Sequence, residues 1–243
     1  MTTQALLTQH YYGLCERTSD AFLSEPLNAI SNLSFILVAI MIYRTYRDHQ
    51  DLKGKWIWDL HILTILIFSI GLFSFIYHIY PTPYTETMDV IPIVAFINIF
   101  FFSIIVRIGH TNAFQTVVCF LAFVGSTHIL VSQFPNAMND SIGYLSSMVA
   151  LVVIAIYLHM MRRPSSHQFL LASLIGVISL FFRAIDNAVC DTIPIGTHFL
   201  WHSLNALLLY ILMKQVIRNV NRDARLRRMA MMKATGRHKW SMK

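Results

Sequence analysis

The chain has 243 residues, 56% of them hydrophobic and 13% charged, with mean hydropathy +0.55 and formal net charge +7. A soluble domain runs at about 45–50% apolar and about 25% charged, so this composition excludes a water-covered surface and makes lipid the solvent. The positive charge does not signal nucleic acid. After Met213 it is strung along a tail, Lys214, Arg218, Arg222, Arg225, Arg227, Arg228, Lys233, Arg237, Lys239 and Lys243, as expected of a cytosolic anchor near anionic lipid.

Residues 1–28 hold no apolar run, so no cleaved signal peptide is expected and the first span directs its own insertion. The 3 cysteines, Cys15, Cys119 and Cys190, are too few for a disulfide scaffold. Crossing a hydrocarbon core about 30 Å thick takes ~20 apolar residues. Seven segments meet that requirement: 29–46, 57–79, 89–108, 113–133, 141–161, 168–187 and 198–217. Turn residues punctuate the connections, as in Pro81-Thr82-Pro83, Pro135-Asn136, Pro164-Ser165 and Pro194-Ile195-Gly196. No soluble domain fits between them. The fold class is therefore an all-α membrane protein, a seven-transmembrane helix bundle. Its parts are an extracytoplasmic segment 1–28, a helical domain 29–217 and a basic cytoplasmic tail 218–243.

Orientation follows from Lys and Arg. The connections after spans one, three and five hold Arg44, Arg47, Lys53, Lys55, Arg107, Arg162 and Arg163, whereas those after spans two, four and six hold none. The N-terminus is expected outside and the C-terminus inside. Trp56 and Trp58 then mark one interface, and Tyr77, Tyr80 and Tyr84 the other.

Polar groups in hydrocarbon are costly unless paired, and three clusters at the expected outer ends break the apolar pattern. Ser74 and His78 are four apart on one face of span two, and Asp89 opens span three. Arg183, Asp186 and Cys190 end span six. His198 and His202 share one face at the start of span seven. The topology brings His78, His198 and His202 to one depth, and three imidazoles with an open fourth position form the ligand set of a catalytic zinc. Ligand type alone leaves iron and copper open. Asp89 is then the candidate for proton transfer and Ser74 the donor to an oxyanion, which together describe amide or ester hydrolysis. The competing reading of any single buried histidine is a hydrogen bond between helices, and His61, His128 and His159 are read that way. Arg183 and Asp186, three apart, read either as an ion pair within one helix or as substrate contacts.

In the N-terminal segment, Glu16, Asp20 and Glu25 either ligate calcium, a hard ion seeking about 6–8 oxygens, or form a solvated acidic loop that caps the first span. Asn28, Ser31 and Asn32 fall on one side of that span and read as hydrogen bonders between helices.

These blocks, Cys15-Glu16, Glu25 with Asn28 and Ser31-Asn32, Ser74 with His78, Asp89, Arg183 with Asp186 and Cys190, and His198 with His202, resemble the alkaline ceramidases. That family lies within a superfamily of seven-helix membrane hydrolases that includes the adiponectin-type receptors. Cys15-Glu16-Arg17-Thr18 and Glu25-Pro26-Leu27-Asn28 look like its short bacterial branch, which implies a bacterial inner membrane with the site toward the extracytoplasmic side.

The resemblance implies a zinc-dependent amidase that cleaves the N-acyl bond of ceramide or a related lipid to a sphingoid base and a fatty acid. It implies zinc on His78, His198 and His202, Ser74 and Asp89 beside it, calcium on the N-terminal loop, and a disulfide between Cys15 and Cys190. Gly13 and Leu14 stand where that family often has Asp and an aromatic, and the steps from Glu16 to Glu25 and from Cys190 to His198 are short. The rival functions are a receptor-like lipid binder of the same superfamily and a transporter. No pair of broken helices or charged pathway across the membrane supports the transporter.

Overall fold

The computed structural model describes residues 13–19, 21–47, 57–109 and 111–234. Asp20, Lys53, Lys55, Trp56, Arg237, Lys239 and Lys243 lie outside the described residues. Within them the chain is helical without strands, and seven helical stretches are long and apolar enough to cross a membrane. α1 (Pro26–Ser31) and α2 (Leu33–Arg47) together make the first. The others are α3 (Trp58–Ile79), α4 (Pro83–Arg107), α5 (Ala113–Gln133), α6 (Gly143–Met160), α7 (Ser166–Ile185) and α8 (His198–Ala234), with a 3-10 turn at Asp186–Ala188 after α7.

Three boundaries depart from the expectation, each for a local reason. α4 begins at Pro83 and not at residue 89. Thr82 caps it through a reciprocal box with Thr85, and Pro83 supplies the φ that the first helical position needs. Asp89 consequently stands on the second turn of α4. The first span likewise begins at Pro26, directly behind Glu25. α8 runs past residue 217 to Ala234, because no Gly or Pro interrupts the good helix formers of the basic tail before Gly236.

Helices adjacent in sequence are adjacent in space. α2 packs on α3, α3 on α4, and so on to α7 on α8, and α8 returns to α1 and α2, closing a ring. Phe35, Ile67, Phe96, Leu151, Phe169 and Met213 are among the side chains that fill its interior. The outer faces carry Ile65, Phe114, Leu121 and Val153, exposed as lipid contacts require. α2 and α3 approach closely at Gly71, where a Cβ would lie 2.9 Å from the Asn32 carbonyl.

The two ends of the ring differ. At one end the Asp59 carboxylate accepts from Ser103 Oγ at 2.6 Å and Arg107 Nε at 2.7 Å, clamping α3 to α4. Arg44, Arg47, Arg162 and Arg163 belong to this end. The opposite end carries Glu25, His78, Asp89, Arg183, His198 and His202, and the N-terminal segment is fastened over it by a Cys15–Cys190 disulfide.

Candidate metal centre and cavity

Two short helical faces build the centre. Ser74 and His78 lie on the last two turns of α3, buried to 3% and 0% exposure. His198 and His202 occupy the first two turns of α8 and are also buried. The start of α8 is held by a carboxylate from another element: Asp186 Oδ1 accepts from the amides of Thr197 at 2.6 Å and His198 at 2.9 Å, satisfying donors that a helix N-terminus leaves free. Asp186 Oδ2 accepts from the Cys15 amide at 3.2 Å. Gly196, at φ +65°, lets the chain pass, since a Cβ there would sit 2.3 Å from Asp186 Oδ1.

One ligand nitrogen from each of His78, His198 and His202 falls within 4.8 Å of the others. No other such group of three or more occurs among the described residues. The hydrogen bonds behind two of the rings decide which nitrogens face inward. Glu25 Oε2 lies 2.6 Å from His78 Nδ1, and a carboxylate can only accept there. Ser31 Oγ donates to the Asn28 carbonyl at 2.8 Å, so it accepts from His202 Nδ1, also at 2.8 Å. Both Nδ1 atoms therefore carry the proton, and both Nε2 atoms present lone pairs. Those two Nε2 atoms face each other across 3.3 Å. Two lone pairs held that close in a buried site call for a cation between them, and Nδ1 partners of this kind are what orient metal-bound imidazoles. The residues fit a metal of zinc's preferences.

Around the centre, the expected residues distribute differently. Ser74, Asp89, His198, His202 and Arg183 line one cavity of about 470 Å³, which runs down among apolar side chains to Phe100, Leu151 and Leu212. Ser74 and Asp89 line this cavity together, and Asp89 Oδ1 is buried with no hydrogen-bond partner. Arg183 and Asp186 do not form the ion pair their spacing suggests. Asp186 is turned toward the α8 amides, while Arg183 reaches His198 Nδ1 at 3.3 Å and stacks over Trp201 at 5.6 Å. The disulfide draws Asp186 and the Cys15 segment together, and the arginine stands on the cavity side.

The residues on which calcium is expected, Glu16, Asp20 and Glu25, have these surroundings. Asp20 is outside the described residues. Glu16 spends its two oxygens on the amides of Leu27 at 2.7 Å and Asn28 at 2.9 Å, capping α1. Glu25 is buried against His78, Asn28 and Arg17. Burial pushes the Glu25 carboxyl up, but the His78 ring, with Arg17 and Asn28, outweighs it and holds the group below the usual carboxylate value.

Three roles were not read from the sequence: Glu25 behind His78, Ser31 behind His202, and Arg17 behind Glu25. The available signal was an acid one residue before an apolar helix, a position where an unpaired charge is costly.

A sequence model of the ceramidase family, described simply as ceramidase, matches residues 14–238. The chain belongs to the ceramidase family. That membership makes it a ceramidase-type hydrolase embedded in the membrane by seven helices. No curated protein matches the chain.

Proposed function

We propose that the chain is a zinc-dependent intramembrane amidase that cleaves the N-acyl bond of ceramide or a related N-acyl lipid, with its site at the extracytoplasmic face of a bacterial inner membrane. One observation carries the reading: three buried imidazoles converge beside an unpartnered carboxylate oxygen, at the polar end of an apolar cavity of a lipid's character. His78, His198 and His202 would hold the ion. Zinc, when bound, supplies Lewis acidity and a ready source of hydroxide near neutral pH.

The chain's own groups do the rest. Phe96, Phe100, Leu151 and Leu212 hold the acyl and sphingoid chains away from water. Ser74 Oγ donates to the carbonyl oxygen as it gains charge. Asp89 Oδ1 takes the proton released when water adds to the carbonyl carbon, then delivers it to the nitrogen as the C–N bond breaks. The products are a fatty acid and an amine. An acid with one buried oxygen unpartnered beside the metal histidines favours turnover over the receptor-like reading, since a binder gains nothing from leaving that oxygen without a donor.

The test is hydrolysis of a fluorescent N-acyl sphingoid lipid by the purified protein, before and after chelation and with zinc restored. Turnover should vanish with the metal and return with zinc. Full turnover in metal-free protein, or zinc retained by a His78→Ala/His198→Ala/His202→Ala variant, would remove the proposal.

A further inference from the structure

Arg17 is 4% exposed although it precedes the first span, and an enclosed charge has to be matched from several sides. Its Nε donates to Glu25 Oε1 at 2.5 Å, Nη2 to the His78 carbonyl at 2.9 Å and Nη1 to the Ser19 carbonyl at 3.3 Å. A carboxylate and two carbonyls, from three stretches of chain, thus surround one planar cation. Hard oxygens in that arrangement are what calcium takes, and Glu25 is one of the residues on which calcium was expected. The guanidinium fills the place. A divalent ion added there would lie against the guanidinium, compete with it for the Glu25 carboxylate and be repelled.

We propose that Arg17 is a built-in cation standing in for a second metal, fixing the first metal centre without calcium. Glu25 is the link. With Oε1 held by Arg17, its Oε2 stays on His78 Nδ1 at 2.6 Å and cannot rotate away. Arg17 also binds the main-chain carbonyl of His78, so it grips that ligand at both the ring and the backbone. It does not line the cavity; it is a positioning residue. The fork shape matters: Lys carries the charge but reaches fewer of these oxygens at once.

The identity of the ion on the histidines rests on the proposed function, but the calcium question does not. The first arm uses zinc-loaded wild-type protein in lipid nanodiscs, freed of calcium by dialysis and then titrated with calcium. Melting temperature and zinc content should not change; a saturable, calcium-specific rise in melting temperature would overturn the proposal. The second arm measures zinc affinity of Arg17→Ala by competition with a colorimetric chelator. A loss of ~10–100-fold is expected, the usual effect of removing a partner behind a metal ligand, with Arg17→Lys in between. Calcium or methylguanidinium should raise the melting temperature of Arg17→Ala but not of the wild type. Wild-type zinc affinity in Arg17→Ala would overturn the proposal. Should Arg17→Ala fail to fold, Arg17→Lys and the wild-type titration carry the decision. Wild-type protein that binds no zinc would count against the proposed function, and the calcium titration would still judge Arg17.

Discussion

Asp89 Oδ1, buried and unpartnered, is an arrangement that costs stability unless the group has a use. The use assigned to it is proton transfer. Asp89→Asn keeps size and hydrogen bonding but cannot carry a proton, and should slow single-turnover hydrolysis by ~10²–10⁴. Ser74→Ala removes the donor proposed for the developing oxyanion and should cost ~10²–10³. Neither residue is assigned as a ligand, so both variants should keep wild-type zinc content by elemental analysis. Asp89→Asn turning over at the wild-type rate with zinc bound would make the carboxylate structural and the mechanism wrong.

At the scale of elements, the site depends on how two helices are started and stapled. α8 begins where Asp186 accepts the Thr197 and His198 amides, so this carboxylate sets the direction of the His198 backbone. Asp186→Ala leaves those amides and that of Cys15 without an acceptor and should lower stability by ~2 kcal/mol or more. Zinc affinity should fall with it, and Asp186→Asn, which retains one acceptor oxygen, should recover part of both. Unchanged melting temperature and zinc affinity in Asp186→Ala would show that α8 needs no cap. The Asp59 clamp provides a contrast at the other end of the ring. Removing it by Asp59→Ala takes the clamp's carboxylate from Arg107 and Ser103 and should cost about 1–3 kcal/mol in thermal unfolding. Zinc affinity should be untouched, because the clamp lies at the end of α3 and α4 remote from His78.

For the whole molecule, the disulfide closes a loop spanning 175 residues, from the segment ahead of the first span to the connection between α7 and α8. In the entropic account such a closure contributes up to ~4–5 kcal/mol, often less in practice. Reduction should therefore lower the melting temperature markedly, while reduced and oxidised protein that melt together would assign the bond no structural weight. A disulfide persists in an oxidising compartment, as the proposed extracytoplasmic placement of the site requires. Orientation is tested in a Cys119→Ser background, since Cys119 is free and exposed. An Asn136→Cys variant should react with an impermeant maleimide on intact cells, and Met161→Cys should not. The reverse pattern would turn the molecule over and move the site to the cytosolic face.

The sequence by itself determined the seven spans, because hydrophobic length is a property of a contiguous segment and the bilayer reads it segment by segment. It also determined which residues were out of place: His78, His198, His202, Ser74 and Asp89 stood out against apolar surroundings. The start of α4 was legible too, in the Thr82-Pro83-Tyr84-Thr85 cap, but the apolar run drew attention to residue 89. Only the tertiary structure decided who partners whom. Glu16 and Glu25 look alike in sequence, yet one caps α1 and the other supports His78, because a carboxylate's role depends on which donors the ring of helices brings to it. Arg183 and Asp186, three apart where α7 gives way to the 3-10 turn, separate for the same reason. The long closure from Cys15 to Cys190 brings the N-terminal segment over the centre, and with it Arg17, whose burial no local pattern announces.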